Sequence, residues 1–219
     1  GGFGWISNFS FYYAHHLSTI EGGMICTNDA KVYEQARMLR SHGLVREITD
    51  DYVRGAWVTG HSDLNPEFIF SMPGYNVRGT EIGGILGRSQ LTRLNANIID
   101  RNANFYHFLD ALDHTKYRTY FKYPGVSNYA FPLVLLRADS DVRDQLEGKM
   151  REAGIEFRRG SSGGGNQLRQ PYLKHLMPEG HYKEFPEVEH IHFFGYYIGN
   201  FPDLSSNDVN EICAVVNSV

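Results

Sequence analysis

The chain lacks the segments that carry proteins into or across membranes. It has no apolar run of the roughly 18 residues needed to span a bilayer. Residues 1–7 also lack the basic and apolar blocks of a signal peptide. We therefore expect a cytoplasmic protein with no membrane partner.

Cysteine is scarce, and the two cysteines, Cys26 and Cys213, lie far apart with no Cys-x-x-Cys spacing. This pattern predicts neither a disulfide framework nor a zinc or iron-sulfur site, so we expect no metal. The net charge of -4, with basic residues spread along the chain, disfavours nucleic acid as a partner. Small anionic ligands are the expected partners.

The 219 residues, 42% of them hydrophobic, can form one sizeable core or be divided between two lobes. Residues 1–11 have the pattern of a loop feeding a buried strand, without an initiating Met or a helix cap. We therefore expect the chain to begin within a domain.

The first lobe is predicted to hold strands at 5–11 and 22–27, then a helix capped by Asn28 or Asp29 and ended by Gly43. Residues 44–73 are expected to be irregular, with Gly55, Gly60, Pro66 and Pro73 as breakers. One long helix from Thr80 to Leu112 should link the lobes.

The second lobe is predicted as a strand at 129–136, a helix at 140–153 and a strand at 155–158, the order typical of α/β folds. A glycine-rich loop at 160–171, an aromatic run at 190–198 and a closing helix at 208–216 follow.

The most informative segment is FSFYYAHHLSTIEGG, residues 9–23, which places Ser10 at a strand end and His15 and His16 in the following turn. It resembles the active-site segment of the DegT/DnrJ/EryC1/StrS sugar aminotransferase family. There a Ser-Phe pair precedes the lysine that binds the cofactor covalently, and a Gly-Gly pair follows. His15 stands at the lysine position, as in the dehydratase branch of that family. Ile20 stands where relatives usually have Gly, and Tyr13 where they often have Pro.

Three further segments carry the resemblance. GYNVRGTEI, residues 74–82, matches a segment whose Asn contacts the cofactor phosphate of the neighbouring subunit. RSHG, residues 40–43, with Arg46 matches a segment that lines the sugar or amino-donor site. GYYIGNFP, residues 195–202, matches the closing active-site loop.

The resemblance implies an α/β fold of the fold-type I, pyridoxal-phosphate-dependent kind, similar to aspartate aminotransferase. Residues 1–115 would be the later part of the large cofactor-binding domain with its linking helix, and residues 116–219 the small C-terminal domain. The first half of the family fold is not matched. That half includes the acidic partner of the pyridine nitrogen and the residue that stacks on the ring.

The resemblance also implies the site. His15 would be the catalytic base, and Ser10 and Asn76 would bind pyridoxal or pyridoxamine phosphate. The expected substrate-binding residues are His42, Arg46, Phe68 and Arg78. The expected partners are a nucleotide-linked 4-keto-6-deoxy sugar, an amino donor such as glutamate, and a second copy of the chain in a homodimer. The implied activity is removal of the C3 hydroxyl of the sugar in deoxysugar biosynthesis.

The chemistry of the residues is consistent with this interpretation. A lysine at position 15 would hold the cofactor covalently and permit transamination. A histidine cannot do so, but it takes and returns protons near neutral pH.

Simpler explanations remain for several residues. Ser10 could cap a turn, Asn76 could satisfy a left-handed bend, and His42 and Arg46 could complement a helix dipole. His16 could be merely a neighbour, and Phe68 could belong to the core. The loop at Gly163–Gly165, with Arg158, Arg159 and Arg169, could bind a diphosphate or be solvated.

Other functions also stay open. An iron-sulfur-dependent dehydrase of the same family is disfavoured by the two distant cysteines, and an ordinary aminotransferase by the absence of a lysine at position 15. A non-catalytic assembly or binding protein is the alternative from a different class.

Overall fold

The structure is a computed structural model that describes residues 1–121, 127–160, 163–173 and 175–219. Residue contacts divide the chain into two compact units, Gly1–Leu94 and Asn95–Val219. The sequence-based division falls after residue 115, so residues 95–115 belong to the first domain in that division and to the second unit here.

The first unit begins with a two-stranded antiparallel sheet of β1, Ile6–Ser10, and β2, Gly23–Thr27. Ile6 lies opposite Thr27, and Ser10 lies opposite Gly23. Most side chains of both strands are exposed, so the expectation of a buried strand is wrong for this chain. The reason is that, among the described residues, neither strand contributes a side chain to a hydrophobic core cluster.

Two helices follow: α1, Ala30–Leu39, and α2, Asp51–Gly60. The Asp29 carboxylate caps α1 by accepting from the amides of Lys31 and Val32, as the sequence predicts. Helix α1 ends before the predicted Gly43, because the chain turns sharply after Arg40.

The prediction that residues 44–73 are irregular is wrong at α2, which contains both Gly55 and Gly60. Each glycine costs about 1 kcal/mol of helix propensity relative to alanine. This cost is offset at the helix start, where the Asp50 carboxylate caps the amides of Tyr52 and Val53. It is also offset by burial, because Trp57 and Val58 pack on the core of the unit, which consists of Met38, Val45, Ile48 and Ile69.

The single long helix predicted from Thr80 is two helices, α3, Glu81–Leu91, and α4, Leu94–Ala111. Thr80, the predicted start of the segment, caps α3 with its hydroxyl. The break follows from local hydrogen bonds: the Thr92 hydroxyl donates to the carbonyl of Ser89, and the Arg93 amide donates to the carbonyl of Gln90. Both bonds span three residues, so they tighten the chain into a turn.

The described part of the second unit contains seven α-helices and β-strands: α4; β3, Ala130–Val134; α5, Ser140–Glu152; β4, Phe157–Arg159; α6, Pro186–Phe194; β5, Gly195–Gly199; and α7, Ser206–Asn217. Strand β5 lies between β3 and β4 and is antiparallel to both. The predicted aromatic run at 190–198 is therefore split between a helix and the central strand. Its aromatic residues pack into a core that includes Phe108, Phe131, Leu146, Met150 and Val209.

The glycine-rich loop lies against α6, although its Ser161 and Ser162 lie outside the described residues. The backbone of Gly165 has a φ of +90° and approaches the His192 ring closely. The buried Asn166 donates its amide to Nδ1 of His192 and its side chain to Glu189. These contacts fix residues 163–170 on the helix.

Two arginines considered for diphosphate binding have carboxylate partners. Arg169 donates through Nε to both oxygens of Glu189, at 2.8 and 3.0 Å, and its guanidinium lies 4.0 Å from the Tyr182 ring centroid. Arg159 pairs with Glu147 at 3.0 Å. An anion at this loop would have to compete with both carboxylates.

We predict that Glu189→Gln loosens this loop. Hydrogen bonding from Arg169 holds the pKa of Glu189 below its ordinary value. The ion pair therefore stabilises the fold above the ordinary carboxylate pKa, and its contribution is lost as the pH falls through the lowered pKa. At neutral pH the variant should lose about 1–3 kcal/mol of local stability, measured by amide hydrogen exchange in residues 163–170 and 186–194.

The difference in amide exchange between Glu189→Gln and the wild type should shrink in acid. Glu179→Gln, at an exposed carboxylate, is the control and should match the wild type. Equal exchange in all three proteins at neutral pH would contradict the prediction.

Candidate active site

The turn between β1 and β2 carries His15. It is closed at its base, where the Phe11 amide donates to the Gly22 carbonyl at 2.8 Å and the Thr19 amide donates to the Phe11 carbonyl at 2.9 Å. Within the turn, the His15 amide donates to the Tyr12 carbonyl at 3.0 Å. Ser10 therefore lies at the strand end directly before a defined loop, as the sequence predicts.

A cavity of about 1240 Å³ opens beside this turn within the first unit. Its walls are the end of β1, the turn, residues 77–80 and one side of α3. The structure thus brings three predicted site residues, Ser10, His15 and Arg78, to one cavity, together with His16. The rest of the wall is largely apolar, a composition typical of sites for small molecules.

Tyr12 contacts the candidate base, a feature that the sequence analysis missed. Its ring centroid lies 6.1 Å from that of His15, with the planes at 74°. Tyr13 in turn meets the Tyr12 ring edge-on at 4.5 Å. Edge-on aromatic contacts restrict ring orientation, so Tyr12 limits the directions in which the imidazole can point. The signal for this was the pair Tyr12-Tyr13, which only Ala14 separates from the two histidines.

The RSHG and GYNVRG segments lie side by side. The His42 amide donates to the Tyr75 carbonyl at 2.7 Å, and the Val77 amide donates to the Arg40 carbonyl at 2.9 Å. This places His42 beside the segment that carries Asn76.

Glycine is required where these segments meet. A Cβ on Gly74 would lie 2.3 Å from the amide nitrogen of Gly43. Gly43 itself has a φ of +78°, and a Cβ there would lie 1.8 Å from the Met72 carbonyl oxygen. Only glycine at both positions permits this backbone contact.

Arg78 connects this segment with the cavity. Its Nη2 donates to Oδ1 of Asn76 at 3.2 Å, while Arg78 itself lines the cavity. Asn76 is not among the lining residues of this cavity in the part of the chain that the structure describes. Its predicted contact with a phosphate stays a prediction.

The other two predicted substrate-binding residues contact each other. The Arg46 guanidinium lies 5.6 Å from the Phe68 ring centroid, and Arg46 also pairs with Glu67 at 3.9 Å. Phe68 is 57% exposed, so it does not fill the core of this unit. Neither residue lines the cavity described above, nor does His42. Their roles in substrate binding stay predictions.

Ile20 has an unusual backbone at the cavity wall. It adopts a φ of +72°, a conformation that branched side chains disfavour, and it is 67% exposed. A glycine would adopt this conformation without strain.

The groups at the cavity suit a phosphorylated ring cofactor. Ser10 offers a hydroxyl, Arg78 a positive charge and His15 a proton-transfer group. The cavity is partly open to solvent, and its volume exceeds the roughly 300–1000 Å³ of typical small-molecule sites. Among the described residues, no three His, Cys, Asp or Glu side chains gather where they could hold a metal ion. No described helix has the length and apolarity to cross a bilayer.

Comparison with known proteins gives the same family as the motifs. Residues 1–217 match the profile of the DegT/DnrJ/EryC1/StrS aminotransferase family. The chain is 31% identical to GDP-4-keto-6-deoxy-D-mannose 3-dehydratase of Escherichia coli O55:H7 (strain CB9615 / EPEC) over 91% of this chain and 51% of that protein. It is 24% identical to GDP-perosamine synthase of Escherichia coli O157:H7 over 99% of this chain and 52% of that protein.

Among solved structures, the chain is similar to a GDP-4-keto-6-deoxymannose-3-dehydratase with a trapped adduct of PLP and glutamate. The TM-score is 0.77 at 28% identity, covering 99% of this chain and 55% of that one. This likeness confirms the predicted α/β, aminotransferase-like fold. The chain spans about half the length of the relatives that it matches.

We predict that Gly74→Ala separates the His42 and Asn76 segments. The new methyl group would overlap the backbone at Gly43 and His42, so either the turn or the helix end must move. Overpacking of this kind costs about 1–3 kcal/mol. The loss should appear in urea unfolding followed by the fluorescence of Trp57, which packs on the core of this unit.

Gly79→Ala is the matched control, because a Cβ at Gly79 meets no atom within 4 Å. If both variants unfolded at the same urea concentration, the backbone contact would not be the constraint that we infer.

Proposed function

Because the chain belongs to the DegT/DnrJ/EryC1/StrS aminotransferase family, we propose that it provides the His15-bearing part of a nucleotide-sugar 3-dehydratase. One observation carries the proposal: His15, which the motif predicts to stand at the position of the family's cofactor-binding lysine, lines the same cavity as Ser10. The 31% identity to a 3-dehydratase supports this choice within the family.

Ser10 and Arg78 are proposed to hold the anionic parts of the ligands. The Ser10 hydroxyl accepts a long hydrogen bond from the Tyr12 amide, at 3.4 Å, and its own proton can be donated to a phosphate oxygen. The Arg78 guanidinium offers several donors in a plane, which suits phosphate or diphosphate oxygens. Both residues lie on the cavity wall with His15.

His15 is proposed to move the proton that the reaction requires. Pyridoxamine phosphate, when bound, would supply an acidic C–H bond next to its ring, and loss of that proton would release the electron pair that expels the C3 hydroxyl of a 4-keto sugar. The His15 imidazole would take that proton as a base and give a proton to the departing C3 oxygen, so that the hydroxyl group leaves as water. Tyr12 limits the rotation of the imidazole, which keeps it directed for this transfer.

The remaining predicted residues are proposed to serve a homodimer. Asn76 would contact the cofactor phosphate of the partner subunit, and His42, Arg46 and Phe68 would contact the sugar nucleotide or the amino donor. The names of the relatives support a GDP-linked 4-keto-6-deoxy sugar as substrate, and the trapped adduct in the solved relative supports glutamate as amino donor.

A second candidate is a non-catalytic assembly or binding protein of the same family. Dehydration of a 4-keto sugar by the chain joined to the first half of the family fold separates the two candidates. The similarity to GDP-perosamine synthase raises aminotransfer as another activity. It is disfavoured for this chain because a histidine at position 15 cannot bind the cofactor covalently.

We predict that His15→Lys creates a covalent cofactor site at residue 15. A lysine amine at this point of the cavity would react with pyridoxal phosphate, and borohydride would make the bond permanent. Peptide mass spectrometry should find the adduct on residue 15 of the variant, and the wild type should release its cofactor on dialysis.

His16→Lys is the matched control at the next position of the turn. The experiment uses the chain alone and the chain joined to the first half of the family fold. Equal labelling of residues 15 and 16 would contradict the special placement of His15.

We predict that His15→Asn abolishes most dehydration while preserving cofactor binding. Asparagine keeps the approximate size and polarity of the side chain but cannot transfer a proton. Turnover of the 4-keto sugar should fall by roughly 10²–10⁴-fold. It is measured by mass spectrometry of the 3-deoxy product in the chain joined to the first half of the family fold.

His16→Asn serves as the control for general disturbance of the turn. Near-normal turnover by His15→Asn, with intact cofactor binding, would make this histidine structural and refute the proposed role.

A further inference from the structure

We infer that Thr19 is a positioning residue that fixes the His15 turn to helix α3. The importance of this contact for catalysis rests on the proposed function, whereas the contact itself is a property of the chain. Thr19 would not touch the reacting atoms and would act through the turn that carries His15.

Thr19 joins the two sides of the turn. Its amide donates to the Phe11 carbonyl at 2.9 Å, which ties it to the end of β1. Its hydroxyl donates to the Glu21 carbonyl at 2.9 Å, which ties it to the start of β2. A displacement of Thr19 is therefore transmitted to both ends of the loop that includes His15.

The side chain of Thr19 rests on a glycine face of α3. A Cβ on Gly87 would lie 3.3 Å from Cγ2 of Thr19, and a Cβ on Gly83 would lie 3.7 Å from its Cβ. Leu17 of the same turn is also near, at 3.8 Å from a Cβ on Gly87. The helix thus approaches the turn as closely as it does because it presents glycine there.

The backbone of Ile20 indicates that neighbouring contacts hold the turn. A left-handed conformation is unfavourable for a non-glycine residue, and Ile20 adopts it with a φ of +72°. Such strain persists only where neighbouring contacts determine the backbone. Thr19, directly before Ile20, provides two of these hydrogen bonds and the contact with α3, and the Ser18 hydroxyl accepts a third bond from the Ile20 amide at 3.1 Å.

The test compares alanine at two glycines of the same helix. Gly87→Ala places a methyl group against Thr19, whereas Gly84→Ala places one in open space, where a Cβ meets no atom within 4 Å. Both substitutions raise helix propensity equally, so their difference reports the contact with Thr19.

The readouts need no ligand and no turnover. One is the NMR signal of the His15 imidazole, assigned by its absence in His15→Asn. The other is amide hydrogen exchange across residues 11–22. We expect Gly87→Ala to shift the imidazole signal and to speed exchange by roughly tenfold, the effect of about 1.4 kcal/mol of overpacking. Gly84→Ala should leave both unchanged.

A second substitution tests whether Thr19 transmits the effect. Thr19→Ser removes Cγ2 and keeps the hydroxyl, so Gly87→Ala combined with Thr19→Ser should recover the wild-type imidazole signal and exchange. Thr19→Val keeps the shape but loses the hydrogen bond to Glu21, so it should speed exchange in the turn even with Gly87 in place.

The inference is overturned if Gly87→Ala and Gly84→Ala behave alike, or if Thr19→Ser brings no recovery. These outcomes leave the catalytic role of His15 to be decided by His15→Asn. If His15 proves to be only structural, the coupling between Thr19 and α3 can still be measured, because the readouts need no turnover.

Discussion

The hydrogen bond between the Phe11 amide and the Gly22 carbonyl is the constraint on which the candidate site depends. It closes the turn at the point where β1 ends and β2 begins, and it sets Ser10 opposite Gly23. Side chains alternate between the two faces of a strand, so a shift of one residue would turn Ser10 to the other face. The same shift would move His15 away from the cavity. The pairing register of β1 and β2, rather than burial, therefore places Ser10 and His15 at the same cavity.

The two units are stabilised in different ways. The second has a broad aromatic and aliphatic core beneath its three-stranded sheet. The first has a small core around Val45 and Ile69, and its site is shaped by close backbone contacts at Gly43 and Gly74 and by the Thr19 side chain against Gly87. Backbone contacts have little tolerance for change, since a single methyl group already overlaps an atom. The candidate chemistry therefore lies in the unit whose geometry depends most on individual glycines.

The sequence predicted what depends on local signals and missed what depends on distant contacts. The cap at Asp29, the start of a helix after Thr80, the type of most elements and the position of Ser10 at a strand end follow from short patterns, and the structure agrees. Glycine inside α2 was misread because packing of Trp57 outweighs the propensity of Gly55. The break after α3 was missed because hydrophobic spacing continues across it. His15 could be proposed from its motif, whereas the support from Tyr12 and Thr19 depends on how the turn folds against its neighbours.

The two-stranded sheet has a practical consequence for work with this chain in isolation. Neither β1 nor β2 pairs with any further described strand, so each leaves one row of backbone amides and carbonyls open along its outer edge. Apolar side chains such as Ile6, Phe9 and Ile25 are exposed beside these edges. Open, apolar strand edges are the usual starting points for aggregation. Purification at low concentration should therefore reduce aggregation of the isolated chain. Charged residues introduced at these outer edges should do the same.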